Sequence, residues 1–222
     1  MNLPRSLALG LCLGVLLLAG CNPLKSTAPS QQLYVLRPAP APATAPAPVP
    51  VTLLLLRPVA EPGLDTTRIA LVQPGNRLDY FAGGEWAGSL AIVAESLFAQ
   101  TLRSSGRFAQ VSSDAAGSGA DFVLAVTLRR FEAEYDAAGA APRAVVRLEC
   151  TLASRREHRQ ITTFDIDTHA AADANRLGSV VAAFEKAAQE ASLVLAERAA
   201  QAAQAALAAE PRPAAQSAAP RT

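Results

Sequence analysis

The chain has 222 residues, 50% of them apolar, with 20 Lys+Arg against 19 Asp+Glu and a formal net charge of +1. That balance excludes the broad basic footprint of a nucleic-acid binder, and 2 His with 3 Cys exclude a multi-ligand zinc framework or a disulfide-dense scaffold. The length suits one domain with tails, and scarce aromatics (5%) beside 16 Pro suit a modest core with low-complexity flanks.

The N-terminus reads as a targeting segment. Arg5 supplies a short basic region, and Leu7 to Leu18 is an apolar run of 12 residues. A membrane-spanning helix needs roughly 20, so the run has the length of a signal-peptide core. It ends in Leu18-Ala19-Gly20-Cys21. Small residues directly before a Cys resemble the lipobox of bacterial lipoproteins. That resemblance implies cleavage before Cys21, a diacylglycerol on its thiol, an acyl chain (palmitate class) on its new amine, and residues 1–20 as the signal peptide. Asn22, rather than Asp, implies the outer membrane by the same family logic.

Residues 21–50 are expected to form the lipidated N-terminus and a Pro-rich tether, with a short strand near 33–36. The alternating Ala-Pro stretch 38–50 favours polyproline II. It reaches about 40 Å if fully extended, and reads equally as a spacer or as a surface loop.

Residues 51–198 are expected to be the folded domain. Val51–Leu56 and Arg68–Val72 are β-rich runs, the second ended by the turn cluster Gln73-Pro74-Gly75-Asn76. Ser89 opens a helix on which Leu90, Val93, Ala94, Leu97, Thr101 and Leu102 recur at helical spacing, and Gly106 stops it. Phe108–Val111 and Phe122–Phe131 read as strands. In Arg143–Leu152 and Ile161–His169, apolar and polar residues alternate around a polar hairpin loop, 155–160. Period-two alternation places Cys150 opposite Phe164 or Ile166.

The last helix carries Leu177, Val181, Phe184, Ala188, Ala191 and Leu195 in one stripe. Residues 199–222, Ala-rich then Pro-rich, are expected to be a disordered tail. The fold class that follows is α+β: an antiparallel sheet with two amphipathic helices packed on one face.

No catalytic constellation and no metal site emerges. Asp165, Asp167 and His169 share a strand face, which reads as a solvated face balanced by Arg147 rather than as metal ligands, which need convergence and outer-shell support. Glu132, Glu134 and Asp136 read as a solvated strand edge. Arg155–Arg159 with His158 reads as a solvated turn, or else a small basic cluster for lipid headgroups or an acidic partner. Cys150 reads as an inert buried thiol. The block Asp79–Trp86 reads as an aromatic loop before the first helix. Tyr80 and Phe81, with Trp86 behind them, are the candidate partner-binding residues.

In order, these segments resemble the ABC-type transport auxiliary lipoprotein family, the PqiC-like group. The residues that carry the likeness are the lipobox at Cys21, Tyr34-Val35-Leu36, RIALVQPGNRLDYFAGGEWAGSL with Trp86, ADFVLAVTLRRFEAEYDAAG, AVVRLECTLAS, and the helix around VVAAFEKAAQEAS. The likeness covers residues 18–198, and the Ala-Pro insert after Leu36 departs from it. It implies a non-enzymatic accessory lipoprotein on the periplasmic side of the outer membrane of a Gram-negative envelope, with no cofactor beyond the lipid on Cys21. The implied partners are an MCE-domain protein and an ABC permease/ATPase complex that move lipid; homo-oligomerisation stays open. The alternative is a structural or assembly lipoprotein of an outer-membrane or secretion complex.

Overall fold

The structure is a computed structural model that describes residues 31–43, 47–114 and 119–209. The signal-peptide and Cys21 expectations, and those for residues 210–222, fall outside these.

Nine strands form one sheet among the described residues: β1 (Gln32–Tyr34), β2 (Val49–Leu55), β3 (Val59–Ala60), β4 (Arg68–Gln73), β5 (Arg77–Trp86), β6 (Phe108–Ser112), β7 (Phe122–Glu134), β8 (Arg143–Ser154) and β9 (Arg159–Ala171). Two helices complete the domain, α1 (Leu90–Ser104) and α2 (Leu177–Ala209).

The sheet is mixed, not purely antiparallel as expected. β7, β8 and β9 form the antiparallel meander, and β4 and β5 a hairpin. On its other edge, β7 receives β2, β3 and β4 in succession along its length, all parallel. β2 also pairs with β6, and β1 with β5, in parallel. The physical reason lies in the connections. β2 returns to β6 only after α1, and a helical crossover delivers a strand in the same direction rather than reversed.

The meander follows the alternation. Cys150 pairs with Phe164, and both are buried. A bulge between Leu128 and Arg130 breaks the parity of β7. Before it, Phe122, Leu124, Val126 and Leu128 face the core; after it, Phe131 and Ala133 do. One extra residue therefore turns two consecutive arginines, Arg129 and Arg130, onto the other face.

The apolar stripe of α2 lies on β8 and β9, and α2 also touches α1. Val180, Phe184, Ala187, Ala188, Ala191, Leu195 and Ala199 are buried. The Thr168 hydroxyl donates to the Ala187 carbonyl at 2.8 Å, a buried link between β9 and the helix. α1 begins after Ser89 and ends before Gly106, whose φ of +64° stops it.

Two boundaries move. α2 continues to Ala209, so 199–209 is helix rather than tail, with Ala199, Ala200 and Ala203 buried. Alanine is the best helix former, and its small side chain lets the helix lie close to its neighbours. At the other end, β1 belongs to the sheet and residues 37–39 rest on the domain. The Arg37 N–H donates to Glu185 at 3.3 Å, Gln189 Nε2 donates to the Arg37 carbonyl at 3.0 Å, and Ala39 is buried. The first part of the Ala-Pro stretch is thus held against α2, not free as a spacer.

Candidate docking surfaces

Trp86 ends β5 and is 2% exposed. Its ring meets Phe184 edge-on at 5.4 Å and Phe131 edge-on at 6.0 Å, while Phe131 and Phe184 stack at 5.1 Å. This cluster joins β5, β7 and α2. Trp86 is therefore a core residue.

Tyr80 and Phe81 are half-buried and lie on β5, a strand rather than the expected loop. Being adjacent on a strand, they point to opposite faces and do not form one surface. Tyr80 donates its hydroxyl to the Gly63 carbonyl at 2.9 Å, and the Arg68 guanidinium lies 3.8 Å over its ring. Phe81 faces Tyr135, with ring centroids 6.5 Å apart. Both side chains thus already have partners within the domain.

The face of β7–β9 opposite the helices carries charge. Arg129 binds Glu61 and Glu149; Arg130 binds Glu132 and Glu134; Arg143 also binds Glu134, at 2.7 Å. Arg147 Nε donates to Asp167 at 2.9 Å across the hairpin, the balance expected from the register. Every arginine here has a carboxylate, so the face presents paired rather than excess charge. Hydrogen bonding from Arg143 and Arg130, working against partial burial, holds Glu134 below the usual carboxylate range.

Glu132 departs from the expected solvated edge. β7 is an interior strand, and Glu132 is buried, accepting from the N–H of Phe131 at 2.7 Å besides Arg130. Among the described residues, no group of three or more His, Cys, Asp or Glu is placed to hold a metal.

Cys150 is fully buried, and desolvation pushes its thiol up to about 12. His158 sits at φ +51° in the β8–β9 turn. Around it Arg159 binds Glu157 at 2.7 Å and Arg156 approaches Asp121 at 3.7 Å, so these two arginines meet carboxylates of this chain.

One surface was not singled out by sequence. Val35, Leu36, Ala87, Ile92 and Val93 line a shallow cavity of about 200 Å³ between the end of β1 and the start of α1. Val35 and Ile92 are more than half exposed, as is Leu33, two residues earlier. The available signal was Ile92, an aliphatic residue off the buried stripe of an amphipathic helix.

The model of the ABC-type transport auxiliary lipoprotein component family matches residues 34–196. The chain belongs to this family. The match opens at the end of β1 and closes within α2, so it takes in β2 to β9, all of α1 and the first part of α2. A protein of Xanthomonas campestris, known from its crystal structure, is similar with a TM-score of 0.73 at 24% identity, over 80% of this chain and 99% of that one. The crystal structure of an uncharacterized protein is similar with a TM-score of 0.60 at 16% identity, over 76% and 98%. These two likenesses speak to the fold. No curated protein matches the chain.

Membership makes the chain an auxiliary lipoprotein component of an ABC-type transport system. An auxiliary component is consistent with a non-enzymatic role. Among the described residues, no helix is long and apolar enough to cross a membrane.

Proposed function

We propose that this auxiliary lipoprotein is held by acyl chains on Cys21 in the outer membrane. There it faces the periplasm and receives the far end of an MCE-domain assembly that an ABC permease and ATPase supply with lipid. The observation that carries the reading is the family match over residues 34–196. The lipobox ending at Cys21 lies only 13 residues upstream of that match. Several acyl chains together anchor a protein stably, at about 0.8 kcal/mol per buried methylene. Asn22 supports the outer rather than the inner membrane.

The contribution to transport is made by binding. The domain gathers ion-paired carboxylates and arginines on one sheet face and aliphatic groups beside β1, and both are surfaces for contact. Replacing Cys21→Ala tests the reading. The variant should accumulate as precursor or soluble protein, leave the outer-membrane fraction, and fail to restore lipid transport in a strain lacking the wild-type gene. Wild-type fractionation and full restoration by Cys21→Ala would refute it.

A further inference from the structure

We infer that the aliphatic patch formed by Leu33, Val35 and Ile92 is a bilayer-docking surface, which seats the domain directly on the leaflet holding its anchor. The inference rests on acylation of Cys21 as proposed above. Leu33 is 68% exposed, Val35 56% and Ile92 53%. Isolated exposed apolar residues are ordinary, but a contiguous group of them marks an interaction site. Val35 and Ile92 line one cavity, whose lining residues include no charged side chain. Leu33 shares Val35's side of the extended segment, two residues away.

The patch is held rigidly. Leu33 and Tyr34 pair with Glu85 and Trp86 of β5, the Tyr34 carbonyl accepts the Ala87 N–H at 2.8 Å, and Arg37 is bound by Glu185 and Gln189 of α2. No conformational change is needed to present it.

Two arguments select lipid as the occupant. The first is the length of chain outside the described residues. Residues 22–30 separate Cys21 from Gln31, and this stretch reaches at most about 35 Å when fully extended. The patch begins at Leu33, three residues beyond its end, so the bilayer is present there at high effective concentration. The second is chemistry. Protein–protein hot spots favour Trp, Tyr and Arg, with Leu and Val under-represented. The patch offers branched aliphatic groups and little directional hydrogen bonding. Burial in acyl chains rewards apolar area without direction.

The test uses the full chain, matured in a Gram-negative host and reconstituted into vesicles of phosphatidylethanolamine and phosphatidylglycerol. Intact mass first reads acylation of Cys21. Val35→Cys, Ile92→Cys and, on the exposed polar face of β9, Thr163→Cys are then labelled with a fluorophore in a Cys150→Ala background. Nitroxide-bearing lipid should quench the labels at 35 and 92 severalfold more than the label at 163, with the reverse order for aqueous iodide. Equal quenching at all three sites overturns the proposal. So does shielding of 35 and 92 from both quenchers, which would mean that protein covers the patch. Acylated protein with water-exposed labels refutes the patch alone. A chain without acyl mass refutes the anchor, and the patch proposal with it.

Discussion

Trp86→Ala should be among the most destabilising single changes in this domain. Trp86 is 2% exposed and is the chain's single Trp. It fills the junction of β5, β7 and α2 through edge-on contacts with Phe131 and Phe184. Truncating a buried Trp or Phe to Ala costs about 3–5 kcal/mol through lost transfer energy and the cavity left behind. Two edge-on aromatic contacts, each worth about 0.5–1.5 kcal/mol beyond area, place this case at the upper end. Against a whole-domain stability of about 5–15 kcal/mol, that is enough to unfold a marginal chain. Urea unfolding followed by far-ultraviolet circular dichroism reads the loss, since the variant has no tryptophan fluorescence. Trp86→Phe should lose clearly less. A loss under about 1 kcal/mol for Trp86→Ala, the size typical of an average substitution, would refute the assignment of Trp86 to the core.

Three further outcomes are expected. Cys150 ionises near 9.0 when free and near about 12 in the fold. Its contribution to stability is therefore complete below the unfolded value and is lost as pH rises towards the folded one. Relative to Cys150→Ala, the native chain should lose on the order of 4 kcal/mol across that window; parallel stability curves in alkaline urea titrations would contradict this. A Cβ at Gly84 would lie 2.5 Å from Leu177 Cδ2 and 2.7 Å from Tyr34 Cε2. Gly84→Ala should thus cost about 1–3 kcal/mol through overpacking and loosen β1, read as faster amide exchange at 32–34. The Thr101 hydroxyl is buried without a hydrogen-bond partner, so Thr101→Val should stabilise the domain by about 1–3 kcal/mol, seen as a higher urea midpoint.

The elements with a strong period were legible in the sequence. The 4–3–4 stripe from Leu177 to Leu195 and the alternation around Cys150 yielded α2, the β8–β9 hairpin and the Cys150–Phe164 pairing. Three features were not. β5 contains Gly83-Gly84 and no sustained apolar–polar alternation, because Gly83 bends the strand at φ +80° and Gly84 makes room for Tyr34 and Leu177; local pattern alone reads it as a loop. The parallel pairings of β2, β3 and β4 with β7 are long-range choices that no local pattern encodes. The bulge at Arg129–Arg130 is one residue in an otherwise regular alternation, yet it decides which face carries the ion pairs. The setting of the candidate partner residues turned on the same point. Read as a loop, Tyr80 and Phe81 are neighbours on one surface; on a strand they face apart.

The most direct measurement of the central claim is capture from intact envelopes. Cells expressing the full chain with an affinity tag are crosslinked, the membranes solubilised, and the co-purified proteins identified by mass spectrometry. The account predicts recovery of an MCE-domain protein with an ABC permease or ATPase, dependent on Cys21. Recovery of envelope-assembly proteins alone, with no transport component in repeated captures, would contradict it.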